Sequence, residues 1–449
     1  MDYTLYNKLT KISQNGRRRF HMPGHKGKPM GTLLDGAFSI DLTEIPSTGN
    51  LNSDEYDIIK EAEIKTALYY GAEACVFLTC GATQGIKAAL ALMCGESGEF
   101  LCDRNTHRSV TDASVLLNLT PRYISPRFDA EMGITKDFDM VELAETLDKN
   151  PNIKTFIVTS PTYYGYCHDI ASICSVCSAR GVKVIVDGAH GAHLKAFSVK
   201  DPVSEGADAV IFSAHKTLCT LTQGAYLLLK DKTLQSQARE LTFLFGTSSP
   251  SYPIMASLDM GRETAEKLGA ERAESLINTV SEVRRRLSSV GYRCDFLGDP
   301  MRITVNIGVF NTSGEKLSDL FREHGIEPEM QDDRNVVFIA AFADSEEDLL
   351  YIAKAGEKIA QSLEKSPRPP LCALPPLLER VMPPRKAFFA EKRRIPLKNA
   401  VGEVLAESLY IYPPGVPIGG MGEIIDKKLL EYLHEISYNI DKEIKIVSH

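Results

Sequence analysis

Four stretches of this chain place ionisable or polar side chains just where an apolar run stops. SAHKT at 213–217 follows AVIF at 209–212, so His215 and Lys216 stand at the end of a predicted buried strand. Burial lowers the pKa of a lysine, and an unprotonated amine is a nucleophile suited to Schiff-base chemistry. The plainer alternative is a lysine whose stem packs while its ammonium reaches water. DGAHGAH at 187–193 follows VKVIV at 182–186 and puts Asp187 at a second strand end. A carboxylate there needs a cationic or donor partner, and a helix cap or structural ion pair would also supply one. CGATQG at 80–85 follows CVFLT and opens a helix. Free backbone N–H groups and the helix dipole suit a phosphate there, joined by the Thr83 hydroxyl. The alternative is an ordinary glycine turn with Thr83 as N-cap. DRNTHRS at 103–109 follows FLC, and His107 is either a surface loop histidine or a ring able to lie flat on an aromatic ligand.

Singly, each of these has a structural explanation. Together, a phosphate cradle, a carboxylate, a stacking histidine and an amine are the needs of one cofactor, pyridoxal 5'-phosphate. Its carboxylate partner keeps the pyridine nitrogen protonated, so that the ring acts as an electron sink. No Walker A or GxGxxG stretch competes for the phosphate role. A metal is not expected. His190 and His193 have loose HxxH spacing, and the one CxxC pair, Cys174 and Cys177, has no second pair to complete a zinc set. Those cysteines read as packed on a helix face.

These groups need a sheet to hold them. Short apolar strands are expected over 75–79, 154–160, 182–187 and 209–212, with helices over 56–70, 83–93 and 170–179. Strands apolar at every position, alternating with helices, imply a mostly parallel sheet covered on both faces. Ligands bind such sheets at the carboxyl ends of the strands. After Pro250 a long charged amphipathic segment over 261–289 reads as a connecting helix. Strands over 302–307 and 335–340 and helices over 315–324 and 346–363 follow as a smaller α/β unit. The expected division is an N-terminal arm at 1–35, a large cofactor domain at 36–260, a small α/β domain at 261–366, and a proline-rich connector with a C-terminal segment at 367–449.

The chain has 449 residues, 43% of them hydrophobic, which is ample for a sizeable core. Its 51 basic and 59 acidic residues give a net charge of −8, without a long basic block. That weighs against nucleic acid as a partner. No run approaches the ~20 apolar residues of a membrane helix, and the first twenty residues lack the apolar stretch of a signal peptide. Ten scattered cysteines do not form a disulfide framework. A cytoplasmic protein with no membrane partner is expected.

The chain resembles the fold-type I, aspartate-aminotransferase-like pyridoxal-phosphate enzymes, and among them the Orn/Lys/Arg decarboxylase family. The stretches that carry the resemblance are HMPGHKG at 21–27, DLTEIP at 41–46, DRNTHRS at 103–109, DGAHGAH at 187–193, SAHKT at 213–217 and YPPGVP at 412–417. The resemblance implies that Lys216 holds the cofactor, Asp187 pairs with its pyridine nitrogen and His107 stacks on the ring, with Ala189 on the opposite face. It places Ala82 and Thr83 at the phosphate, with Ser213 and His215 beside it, and gives His215 or Lys216 the return of a proton to Cα. It implies a homodimer with shared sites, FGTSSP at 245–250 bringing Thr247 or Ser248 to the partner's phosphate and the HMPGHKG arm lying near the entrance. It makes Glu423 the candidate for a substrate's basic side chain.

Two positions depart from the family pattern. Gly188 stands where many relatives have an acidic residue, and Met421-Gly422-Glu423 replaces Pro-Gly-Glu. The chain also looks like the shorter branch without a receiver-like wing domain. The implied activity is decarboxylation of arginine, lysine or ornithine to the corresponding polyamine-pathway amine. Another fold-type I reaction, such as an aminotransferase or a carbon–sulfur lyase, is the alternative. A cofactor-free regulatory binder is disfavoured, because it would need neither Lys216 nor Asp187.

Overall fold

The computed structural model describes residues 3–95, 98–371, 374–411, 416–436 and 438–448. Tyr412 to Gly415, most of the YPPGVP stretch, lie outside the described residues. Seven strands form the central sheet: β1 (Ala74–Leu78), β2 (Glu99–Asp103), β3 (Thr120–Ile124), β4 (Thr155–Thr159), β5 (Lys183–Asp187), β6 (Ala209–Phe212) and β7 (Ala225–Leu229). Their order is β1-β7-β6-β5-β4-β2-β3. All neighbours are parallel except β7, which runs antiparallel to both β1 and β6. The carboxyl ends of β1, β2, β4, β5 and β6 therefore share one edge of the sheet.

The apolar runs are explained by burial on both faces. Val76, Leu78, Ile157, Ile185, Ile211 and Leu227 pack into one layer, on the side of helix Ala82–Cys94. Phe77, Val158, Val184, Val186, Val210 and Phe212 pack into the other, with Tyr252, Met255 and Leu258 of the long helix Tyr252–Val290. The alternation is the two-residue period of a strand with a core on each side. Each such side chain contributes about 1.5–3 kcal/mol by its burial. Gly85 lets its helix approach closely, since a Cβ there would meet Leu78 Cδ1 at 2.6 Å.

Beyond the large sheet, Arg302–Asn306, Asn335–Ile339 and Met330–Gln331 make a three-stranded antiparallel sheet. Leu276, Val280, Val283 and Leu287 of the long helix share its core. The C-terminal segment has its own apolar cluster, including Leu397, Leu405, Ile418, Leu429 and Ile446, around helix Lys427–Glu435.

Two expectations change. The connecting helix starts at Tyr252, not near 261, because Pro253 lies in its first turn, where a missing N–H costs nothing. The expected boundary at 261 thus falls inside one helix. The expected N-terminal arm is tied to the large domain: Thr4–Ser13 is a helix whose Leu5 and Leu9 are fully buried, and the Leu5 N–H donates to Asp259 at 2.8 Å.

Candidate active site

A cavity of about 840 Å³ opens along the edge where the strands end. Cys80 to Thr83 line it after β1, Asn105 and His107 after β2, Thr159, Thr162 and Tyr163 at and after β4, Asp187, Ala189 and His190 at and after β5, and Ser213, His215 and Lys216 after β6. The second sheet contributes Asp332, Asp333 and Arg334, the connector Arg368 and Pro369, and the C-terminal helix region Tyr432 and Glu435. Of the residues singled out from the sequence, Lys216, His215, Asp187, His107, Ala82, Thr83, Ala189 and Ser213 meet in this one cavity.

Lys216 sits in a single helical turn, Ala214–Thr217, that starts as soon as β6 ends. Burial pulls its pKa below the ordinary lysine value; the Asp187 charge opposes this and Arg302 adds to it. Its Nζ lies 3.1 Å from His190 Nε2 and 6.0 Å from the centre of the Tyr163 ring. Asp187 is buried at the end of β5, and its Oδ1 accepts from the Ala189 N–H at 3.2 Å.

His107 is the N-cap of helix Arg108–Leu117. Its Nδ1 accepts from the Ser109 N–H at 3.2 Å and lies 2.8 Å from the Ser109 hydroxyl. The ring is open to the cavity, and the surrounding walls lower its pKa by desolvation, against the pull of Asp187. His215 is anchored by Nδ1, 3.1 Å from the Gly224 carbonyl oxygen, which it can reach only as a donor.

The helix at the β1 end has Gly81, not Thr83, as its N-cap. Gly81 has φ +79° and no side-chain cap, so the first N–H groups of Ala82–Cys94 face the cavity. A Cβ at Gly81 would meet nothing closer than 3.9 Å, which leaves the approach open. The buried Thr159 hydroxyl also lines the cavity, without a hydrogen-bond partner among the described residues. An uncapped helix start, a carboxylate, an amine of lowered basicity and a spare hydroxyl around one space fit pyridoxal phosphate.

Glu423 is not among the residues lining this cavity. Its two oxygens are held by Arg104, at 3.0 Å, and Arg380, at 2.8 Å. Thr247 and Ser248 are exposed and also lie outside it, as does the HMPGHKG stretch, where His25 Nε2 lies 3.2 Å from Asp41. Gly188 has a steric reason: a Cβ there would come within 2.7 Å of Phe212 Cε1. Sequence reasoning missed Tyr163, Arg302 and the place of His190. His190 was visible in DGAHGAH, but only the fold shows that it faces Lys216.

A lysine, a carboxylate and an open helix start, gathered at the carboxyl edge of a mostly parallel α/β sheet, define a fold-type I pyridoxal-phosphate enzyme. The Orn/Lys/Arg decarboxylase major domain matches residues 4–305, and the C-terminal domain of the same family matches 372–442. The chain belongs to the Orn/Lys/Arg decarboxylase family. It is 30% identical to an arginine decarboxylase of Bacillus subtilis, over 98% of this chain and 94% of that one. It is also 30% identical to an arginine decarboxylase of Halalkalibacterium halodurans, over 96% and 92% of the two chains. Among solved structures, the lysine decarboxylase LdcF of Francisella novicida superposes with a TM-score of 0.84 at 18% identity, covering 99% of this chain and 81% of that one. The reaction is decarboxylation of a basic amino acid, with pyridoxal phosphate as cofactor.

Proposed function

We propose that the chain decarboxylates L-arginine to agmatine, as a step in polyamine synthesis. The observation that carries this choice among basic amino acids is that two relatives 30% identical over nearly its whole length are arginine decarboxylases, whereas lysine decarboxylases matching a similar length are 22% identical. The cavity chemistry supports the reaction type. Arg368, an arginine on its wall, is held by Asp333 at 2.9 Å, and Arg334 donates to the Pro369 carbonyl. Arg368 is thus already engaged by a carboxylate and does not stand free to clasp an α-carboxylate as an aminotransferase would require, and a poorly solvated carboxylate favours loss of carbon dioxide.

In this reading Lys216 binds the cofactor through its amine and Asp187 supports the ring nitrogen. His107 and Ala189 hold the two ring faces, and Ala82, Thr83, Ser213 and His215 surround the phosphate. When bound, pyridoxal phosphate supplies the electron sink for the Cα–carboxylate bond. Lys216 or His215 then delivers a proton to Cα. In place of Glu423, the basic tail of the substrate is assigned to Glu435, which lines the cavity and makes no ion pair among the described residues. A homodimer with Thr247 or Ser248 reaching the partner's phosphate completes the proposal. Among the described residues no helix is long and apolar enough to cross a membrane, and a cytoplasmic location belongs to the same proposal.

The test is carbon dioxide release from L-arginine, L-lysine and L-ornithine, assayed separately with pyridoxal phosphate. Arginine should be the fastest, and Lys216→Ala should abolish release. A preference for lysine or ornithine would overturn the substrate assignment and leave the reaction standing. Glu435→Gln should raise KM for the preferred substrate with kcat little changed. Light scattering should give the mass of two chains.

A further inference from the structure

His190 stands between two cationic side chains, and the geometry dictates which of its nitrogens carries the proton. On one side Arg302 Nη2 lies 3.1 Å from His190 Nδ1; on the other Lys216 Nζ lies 3.1 Å from His190 Nε2. A guanidinium has donors only, so Nδ1 must be the acceptor and carries no proton. The proton of a neutral imidazole is then on Nε2, pointing at Lys216. A second N–H facing an ammonium at that distance would set donor against donor. The arrangement is satisfied when Lys216 is a neutral amine that accepts from Nε2–H.

We propose that Arg302 is a positioning residue for Lys216: it locks His190 in the Nε2–H tautomer, and His190 in turn holds the lysine amine unprotonated and aimed into the cavity. This rests on Lys216 being the cofactor-bearing lysine.

The surroundings agree. His190 is 4% exposed and Arg302 3% exposed, so water does not compete for either contact. Tyr163 packs its ring 4.6 Å from the imidazole and limits its rotation. Arg302 is held from behind by Asp299, Nε to Oδ2 3.7 Å, and Asp299 is itself fixed by His193 at 2.7 Å. The charged groups acting on Lys216 are Asp187 and Glu329, which favour the ammonium, and Arg302, which opposes it. On His190, burial, Lys216, Arg302, His193 and His107 all act against a second proton. Without the Arg302–His190 pair, the two carboxylates would act on the lysine unopposed by it.

The first measurement needs no variant of Arg302. A 15N–1H correlation spectrum of the full-length, 15N-histidine-labelled protein freed of cofactor should show His190 protonated at Nε2 and bare at Nδ1 between pH 6 and 8. His190→Phe assigns the signal by removing it. An Nδ1–H or doubly protonated ring would overturn the proposal. The second measurement follows reductive methylation of Lys216 against pH by peptide mass. Arg302→Met, which has no donor for Nδ1, should raise the pH of half-labelling by about one unit, a tenfold loss of neutral amine near neutrality. Arg302→Lys should recover most of it. In a His190→Phe background the effect of Arg302→Met should fall to a third or less; an equal effect in both backgrounds means direct charge repulsion and overturns the relay. Arginine turnover by the unaltered enzyme is read separately, so failure of the relay and failure of the substrate assignment are distinguishable.

Discussion

The Glu423 carboxylate lies 3.0 Å from the Arg104 guanidinium, and this contact ties the C-terminal segment to the loop that carries His107. Glu423 is 1% exposed. It also accepts from Arg380 and from the Gly420 N–H, and both guanidinium groups lie over the Tyr123 ring. Removing one partner of a buried ion pair leaves uncompensated charge, at about 3–5 kcal/mol. Glu423→Gln should therefore lower the thermal midpoint markedly. KM for the substrate should change little in the fraction that stays folded at low temperature. A KM rise of tenfold or more without loss of stability would return Glu423 to the substrate site.

Much of this architecture could be read from the sequence. Strands β1, β4, β5 and β6 are buried on both faces, so they show as unbroken apolar runs. The chemical residues follow directly because a parallel sheet collects its strand ends. Helix Thr4–Ser13 was hidden because only two of its residues, Leu5 and Leu9, are fully buried, with Tyr6 and Ile12 packed partly against the same core. Contacts made across the fold had no local trace: His190 and Arg302 are 112 residues apart, and Arg104 and Glu423 are 319 apart. Sequence order says which side chains reach an edge; only packing says which of them meet.

His107 does two jobs that substitution can separate. Its Nδ1 caps helix Arg108–Leu117 and its ring opens to the cavity. Asparagine can replace the cap, whereas alanine cannot, at about 1 kcal/mol. His107→Asn should keep the stability of the native protein but weaken pyridoxal phosphate binding. His107→Ala should lose both. Thermal melting of cofactor-free protein and fluorescence titration with the cofactor read the two effects. Equal cofactor affinity in His107→Asn and the native protein would exclude the ring from the cofactor site.

Gly188 and Phe212 are in steric register. Adding a methyl group at 188 places it 2.7 Å from Phe212 Cε1 and 3.3 Å from Val210 Cγ1. Overpacking of this kind costs about 1–3 kcal/mol. Gly188→Ala should destabilise by that amount in urea melts. Phe212→Leu, destabilising by itself, should then cost less in the Gly188→Ala background than alone, a coupling of more than about 0.5 kcal/mol. Additive effects would mean that the backbone at 188 yields instead of the ring.

Asp103 sits fully buried at the end of β2, and desolvation, with a smaller push from the Asp187 charge, raises its pKa to about 6. His168 and two backbone N–H groups act in the opposite sense. One oxygen, Oδ1, has no hydrogen-bond partner among the described residues. In the unfolded chain the same carboxyl titrates at about 3.9. The folded state thus holds the proton over a window where the unfolded state has lost it. The stability contributed by Asp103 is greatest below about pH 4, declines as pH rises to about 6, and is constant above. A gap of about two pKa units corresponds to about 3 kcal/mol. Asp103→Asn keeps an oxygen to accept the backbone N–H groups and removes the charge. The variant should gain stability relative to the native protein at pH 7.5 and show most of that gain gone at pH 4.5. Urea midpoints at the two pH values measure this, and the difference between variant and native protein cancels groups common to both. A stability difference independent of pH would mean that Asp103 is ionised throughout, with its charge compensated by His168.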